Sequence, residues 1–115
     1  MDTNCLFCKI IRNEIPSKIV YRDDMVTAFW DIHPQTPVHI LIVPNQHIAG
    51  AAELTPAHAE MLAAMFSAAN TIAAQHGVAQ SGYRLTINQG PDSGQAVFHL
   101  HLHLFGGKRM SDRRG

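Results

Sequence analysis

In His99-Leu100-His101-Leu102-His103-Leu104-Phe105, polar and apolar residues alternate without a miss from His99 to Leu104. Successive side chains of a strand point to opposite faces, so this pattern puts the three imidazoles on one face and sends the leucines into a core. A solvated sheet face is seldom built from three histidines, and the run points instead to a cleft with chemistry in it. A metal-chelating triad is one reading. Strand geometry opposes it, because alternate residues are ~6.6–6.8 Å apart and metal–nitrogen bonds are only ~2 Å long. Adjacent members can share a ligand, while the outer two serve different sites. A tetrahedral phosphate, with its hydrogen-bonding oxygens, fits between neighbouring imidazoles.

The loop before this run, Gly90-Pro91-Asp92-Ser93-Gly94-Gln95-Ala96-Val97, strengthens the phosphate reading. Gly94, Gln95, Ala96 and Val97 can turn backbone N–H groups toward an anion, and Gly94 permits close approach. On its own such a loop more often just makes a turn.

Outward from this segment the pattern predicts an α+β domain on a five-stranded, mainly antiparallel sheet with one short and one long helix. Leu6, Phe7, Ile10 and Ile11 share a helical face after Asn4, and Pro16 stops that helix. Strands are expected over 18–22 and 25–31 around an Asp23-Asp24 turn, over 39–43, over 83–88 and over 97–105. The long helix runs from Pro56 to about His76, with Thr55 as N-cap and Gly77 as terminator. Met61, Met65, Phe66, Ala69 and Ile72 form its apolar stripe, and Ala57, Ala64 and Ala68 a small-residue side open to a second backbone. Residues 1–107 read as a single domain and 108–115 as a polar tail.

The chain has 115 residues, 46% hydrophobic and 16% charged, which suits one domain with a real core. Nine basic and nine acidic residues cancel, removing the usual electrostatic argument for nucleic acid or a membrane surface. No run approaches the ~18 apolar residues that span a bilayer, and Met1-Asp2-Thr3-Asn4-Cys5 has no basic patch before an apolar run. A cytoplasmic protein acting on small molecules is expected.

Cys5-Leu6-Phe7-Cys8 has the spacing at which two thiolates grip one zinc ion, and histidines must complete the tetrahedron. His99, at the outer end of the triad, and His47, after the 39–43 strand, are the natural donors. A redox pair, or two ordinary reduced cysteines, are the other readings of the same spacing. His33, His58 and His76 read as surface residues. His39 opens a buried strand, where either a core histidine or a site residue would fit.

Taken together the chain resembles the histidine triad (HIT) family, in its Hint-like branch, from Cys5 to Gly107. The resemblance is carried by Lys9-Ile10-Ile11-Arg12-Asn13-Glu14-Ile15-Pro16, Phe29-Trp30-Asp31-Ile32-His33-Pro34-Gln35, Val38-His39 with Ile42-Val43-Pro44, and Gly94 through His103. It implies a purine nucleotide-binding hydrolase or transferase working on phosphorus, with AMP- or GMP-like substrates. His101 would be the nucleophile that becomes transiently nucleotidylated, with His103, His39 and Asn88 around the phosphate. Asp31 would bind the ribose hydroxyls, and Leu6, Phe7, Ile10, Ile15, Phe29 and Ile32 would form the purine slot. Cys5, Cys8, His47 and His99 would hold structural zinc, with no catalytic metal. The resemblance also implies a homodimer that continues the sheet through the long helix and the strand near Tyr83.

Two departures stand out. Ala96 occupies a position where Hint-like enzymes often carry serine, so one hydroxyl donor is absent. Ser111-Asp112-Arg113-Arg114 replaces a segment that is aromatic in some members. Nucleoside 5'-phosphoramidate hydrolysis is the expected activity. The alternatives are dinucleoside polyphosphate hydrolysis, and a zinc-stabilised nucleotide-binding or interaction protein with little turnover. The cleft-forming segments supply no Lys or Arg before Lys108, which favours an amine over a polyphosphate as leaving group.

Overall fold

A computed structural model describes residues 4–111. The helices are α1 (Leu6–Ile11) and α2 (Ala59–Gln75), and the strands are β1 (Ile19–Arg22), β2 (Val26–Trp30), β3 (Val38–Pro44), β4 (Tyr83–Thr86) and β5 (Leu102–Gly106). They form one five-stranded sheet in the order β1-β2-β3-β5-β4, antiparallel at every pairing. The sheet and its two helices match the expected architecture.

Strand alternation divides the molecule into two faces. Val26, Ala28, Ile40, Ile42, Leu102 and Leu104 point to α2 and meet Met65, Ala69, Ile72 and Ala73 in the main core. Burying each large aliphatic side chain there stabilises the fold by about 1.5–3 kcal/mol. The intervening residues point the other way. Phe29, Leu41 and Val43 form a smaller core with Cys5, Phe7, Cys8 and Ile10 from α1 and its cap. β3, central and buried along its whole length, supplies both cores, as expected of a continuous β-branched and leucine run covered on both faces.

The helix boundaries have local causes. Cys5 is the N-cap of α1, its sulfur accepting the Cys8 N–H at 3.3 Å. The helix ends before Pro16 is reached, because Asn13 takes a left-handed conformation at φ 63°, which asparagine tolerates better than most residues. At the other helix, Thr55 and Pro56 begin a 3-10 turn over Pro56–His58 that leads into α2 at Ala59. His58 has the part usually played by glutamate in a capping box: its Nδ1 accepts the Thr55 N–H at 3.0 Å. Gly77, at φ 75°, follows the C-cap His76.

Three expectations need correction. The last strand begins at Leu102, not at residue 97, and Gly106 belongs to it. Upstream of Leu102 the backbone leaves the sheet: β4 ends at Thr86, the last register pair with β3 is Ile42↔Leu102, and the Leu100 N–H goes instead to the Ile48 carbonyl beyond β3. Side chains take over the free carbonyls there: Gln95 binds that of Val97 and the His101 ring that of His99. Second, β4 stops two residues short of Asn88. Third, Ala68 is 1% exposed and part of the main core, not of a free side. The residues of α2 that do face outward include Ala63, Ser67, Asn70 and Ala74, a helical stripe at i, i+4, i+7 and i+11. The tail is tied down as far as Ser111, whose carbonyl accepts from Arg84 at 2.7 Å. Residues 112–115 lie outside the described part. No helix among the described residues is long and apolar enough to cross a membrane.

Candidate functional site

The β3–β5 register sets His39 opposite Phe105 and Leu41 opposite His103. Both histidines therefore emerge on the α1 face of the sheet, on neighbouring strands, with their rings 5.3 Å apart. His101 lies just before β5, its ring 5.0 Å from that of His103 and edge-on to Phe7 at 5.1 Å. His99 turns away into the interior, completely buried. The triad's side chains thus diverge, His99 toward Cys5 and His101 and His103 toward His39, although His99 and His101 precede β5 and no strand repeat separates them.

Hydrogen bonds assign the tautomers, because a neutral imidazole donates at one nitrogen and accepts at the other. The Gln35 N–H donates to His39 Nδ1 at 3.1 Å, so His39 carries its proton on Nε2. That proton faces His103 Nδ1 at 3.1 Å and the Asp31 carboxylate at 3.5 Å. His103 accordingly keeps its own proton on Nε2. His101 donates Nδ1–H to the His99 carbonyl at 2.7 Å, which leaves a lone pair on Nε2. Asp31 is oriented from its other oxygen, which accepts the His33 N–H at 2.7 Å.

Burial keeps these rings neutral. It lowers His39 and His101 below the ordinary imidazole range and takes His103 down to about 4. Asp31 opposes the shift at each of the three without reversing it. A neutral imidazole with an unshared Nε2 pair is a nucleophile at neutral pH without any activating base.

Among the described residues two groups of side chains have metal-like spacing, and their second partners tell them apart. In Cys5, Cys8, His47 and His99, sulfur and nitrogen are 3.3 Å apart for Cys5–His99 and Cys8–His47, 3.5 Å for Cys8–His99, and the two Nδ1 atoms 3.2 Å apart. A tetrahedral zinc with ~2.3 Å sulfur and ~2.0–2.1 Å nitrogen bonds needs about 3.5 and 3.3 Å. His99 donates Nε2–H to the Pro44 carbonyl at 2.8 Å, which turns its Nδ1 lone pair to the cluster, the outer-shell arrangement metal-binding histidines use. The cysteines form no disulfide. Asp31, His39 and His103 lack that arrangement: a metal on His39 Nε2 would force the proton to Nδ1, where the Gln35 N–H already points. That trio is a hydrogen-bond relay.

The remaining sequence-chosen residues divide by depth. Phe7, Ile10 and Phe29 are buried in the smaller core, with Ile15 and Val97 packed on it. Leu6 at 44% and Ile32 at 84% are exposed. Asn88 is half-buried beyond β4, and Gly94 and Ala96 are exposed. In the loop, the Gly94 and Gln95 N–H groups already donate to the Pro91 and Gly90 carbonyls. An open cavity of about 920 Å³ adjoins Asp31 and Ile32, lined also by Pro16, Ser17, Lys18, Trp30 and Pro34. Those five residues were not picked out from the sequence, and Lys18 corrects the expectation of a cleft without cations before Lys108. The Pro16 and Pro34 turns were visible, but nothing local showed that they converge.

Comparison with known proteins identifies the family. The HIT domain family model matches residues 12–110. The purine nucleoside phosphoramidase of Escherichia coli (strain K12) is 50% identical over 110 residues, covering 96% of this chain and 92% of that protein. A 14 kDa zinc-binding protein of Zea mays is 45% identical over 112 residues, covering 96% and 87%. The solved structure of a HIT family hydrolase from Clostridium thermocellum superposes with a TM-score of 0.96 at 48% identity, covering 98% of each chain. With its split histidine triad, its matched domain and its shared fold, the chain belongs to the histidine triad (HIT) family.

Proposed function

We propose that this HIT-family chain is a purine nucleoside phosphoramidase acting through a nucleotidyl-histidine intermediate. The observation that carries the reading is the His101 ring, fixed by its Nδ1–H bond to the His99 carbonyl so that Nε2 keeps its lone pair. The likeness to the Escherichia coli phosphoramidase supports it. In this scheme His101 Nε2 attacks the α-phosphorus, the new N–P bond forms and the bond from phosphorus to the amine breaks. The amine leaves with the proton of His103 Nε2–H. Water then displaces His101 from phosphorus and returns a proton to His103 Nε2, giving the nucleoside monophosphate and restoring both rings. His39 orients His103, Asp31 takes the ribose hydroxyls, and Asn88 and the Gly94–Val97 loop hold the phosphate. Leu6, Ile15 and Ile32 contact the purine above the Phe7, Ile10 and Phe29 floor.

Zinc at Cys5, Cys8, His47 and His99 is structural in this reading, since two thiolates and two imidazoles leave no open position. A homodimer completes it. The Tyr83 hydroxyl donates to Asn70, so the outer edge of β4 adjoins the small-residue stripe of α2, and a second copy can cover both at close approach.

His101→Ala should lower turnover by at least ~10³-fold while leaving AMP affinity within about threefold, because base and ribose contacts lie elsewhere. Rapid quenching of the wild type with an adenosine phosphoramidate should show an adenylyl adduct on His101 by mass spectrometry. A variant that keeps most activity sinks the covalent mechanism. Lowered imidazole values place the acid limb of kcat/KM below pH 6.5, with activity retained until His101 protonates. The same sign governs stability. His103 titrates near 4 when folded and near 6.5 when unfolded, so the unfolded chain holds more protons between those values. Urea resistance should fall as pH drops through that window.

Elemental analysis should find one zinc per chain, and Cys5→Ser with Cys8→Ser should lower the melting temperature. Metal-free protein of unchanged stability would count against the site. Light scattering should give a dimer at micromolar concentration, and Ser67→Trp, on an exposed position, should yield a folded monomer. A monomeric wild type removes the dimer.

Phosphoramidates should be cleaved at least ~10-fold more efficiently than dinucleoside polyphosphates, a difference of about 1.4 kcal/mol in transition-state stabilisation. Lys18 lies on the Asp31 wall and not in the phosphate loop, so it does little for a long anionic leaving group. Equal or reversed preference in side-by-side kinetics would move the chain to the polyphosphate reading.

A further inference from the structure

The side chain of Gln95 is only 6% exposed, although Gly94 and Ala96 on either side of it are exposed. A buried amide persists where its hydrogen bonds are made. Gln95 Oε1 accepts the Gly90 N–H at 2.7 Å, and Nε2 donates to the Ala49 carbonyl at 2.9 Å and the Val97 carbonyl at 3.1 Å. These partners belong to the connection after β3, the entry of the glycine loop and its exit. One planar head thereby ties the loop at both ends and anchors it to the segment that follows the metal-side end of β3. No other side chain of this length offers an acceptor and two donors: glutamate lacks the donors and methionine lacks both.

What this clamp controls follows from the backbone it leaves free. Ser93, Gly94 and Gln95 direct their N–H groups to the Gly90 and Pro91 carbonyls inside the turn. Among the described residues, the N–H groups of Ala96 and Val97 have no such bond. Val97 packs on the cluster that contains Phe7, and the Phe7 ring meets His101 edge-on. The backbone that carries the two unengaged amides therefore leads from the clamp to the cluster that borders His101. With alanine at position 96, no hydroxyl supplements them.

We propose that Gln95 is a positioning residue for phosphate: its side chain holds the Ala96 and Val97 amides as the anion-binding donors beside His101. The inference rests on the nucleotide reading above. It is tested with the full metal-loaded chain, using AMP and adenosine as probes that differ only in the phosphate. Wild type should prefer AMP, and AMP but not adenosine should shift the Ala96 and Val97 amide resonances. Gln95→Met should keep its zinc and bind adenosine within about twofold of wild type. Its preference for AMP over adenosine should fall about tenfold, with a similar fall in kcat for an adenosine phosphoramidate. Gln95→Glu, which keeps the Gly90 bond but loses both donors, should lose the preference as well. A wild type indifferent to the phosphate overturns the nucleotide reading itself. A wild type that prefers AMP, with unmoved Ala96 and Val97 amides or with the preference intact in either folded variant, overturns the role of Gln95 alone. If neither variant folds, the wild-type amide shifts still decide.

Discussion

The pairing of β3 with β5 sets the terms for the rest of the molecule. Both strands are central, and both are lined on one side by branched aliphatic residues that must meet α2. Once Ile40, Ile42, Leu102 and Leu104 are turned to that core, His39 and His103 have no choice of side. A slip of one residue would bury the imidazoles under α2 and expose the leucines. The hydrophobic effect thus sets the register, and the register places the histidines with their rings in contact. Site geometry here is a by-product of core packing, which makes it rigid.

Rigidity matters because the imidazoles act through specific nitrogens. Each ring in the cleft is locked by a backbone group or by its neighbour: His39 by Gln35, His101 by His99, His103 by His39. Burial then holds the set neutral. A solvated histidine would exchange tautomers freely and spend part of its time protonated near neutral pH. The same three histidines on an open sheet face would lack a defined lone pair.

The backbone between His99 and His101 couples two chemistries. His99 directs one ring nitrogen to the cysteines and the other to Pro44, while its carbonyl receives the His101 ring. The cluster that suits zinc and the ring that suits attack on phosphorus are therefore joined through a single residue. Cys5 adds to this by capping α1, the helix whose Phe7 borders His101. Loosening the cluster would loosen the orientation of the His101 ring.

The alternating histidines were a local signal, although His99 and His101 lie outside β5 and a strand repeat does not set their separation. The Cys5/Cys8 spacing, the Thr55-Pro56 start and the Gly77 stop were equally local, and local rules describe them well. The extent of the last strand was not local. Residues 99–101 continue the alternating pattern, yet pairing needs a neighbour: β4 ends before reaching them, and the register with β3 stops at Leu102. Nor did helical periodicity show that Ala68 is core, because a small residue fits either a buried or an exposed side, and only packing against the sheet decides. The protonated nitrogen of each histidine, the cavity that brings Lys18 to Asp31, and the Gln95 clamp lay beyond the sequence for a common reason. Each depends on a partner distant in the chain, and the composition of a segment carries no record of what the fold will set against it.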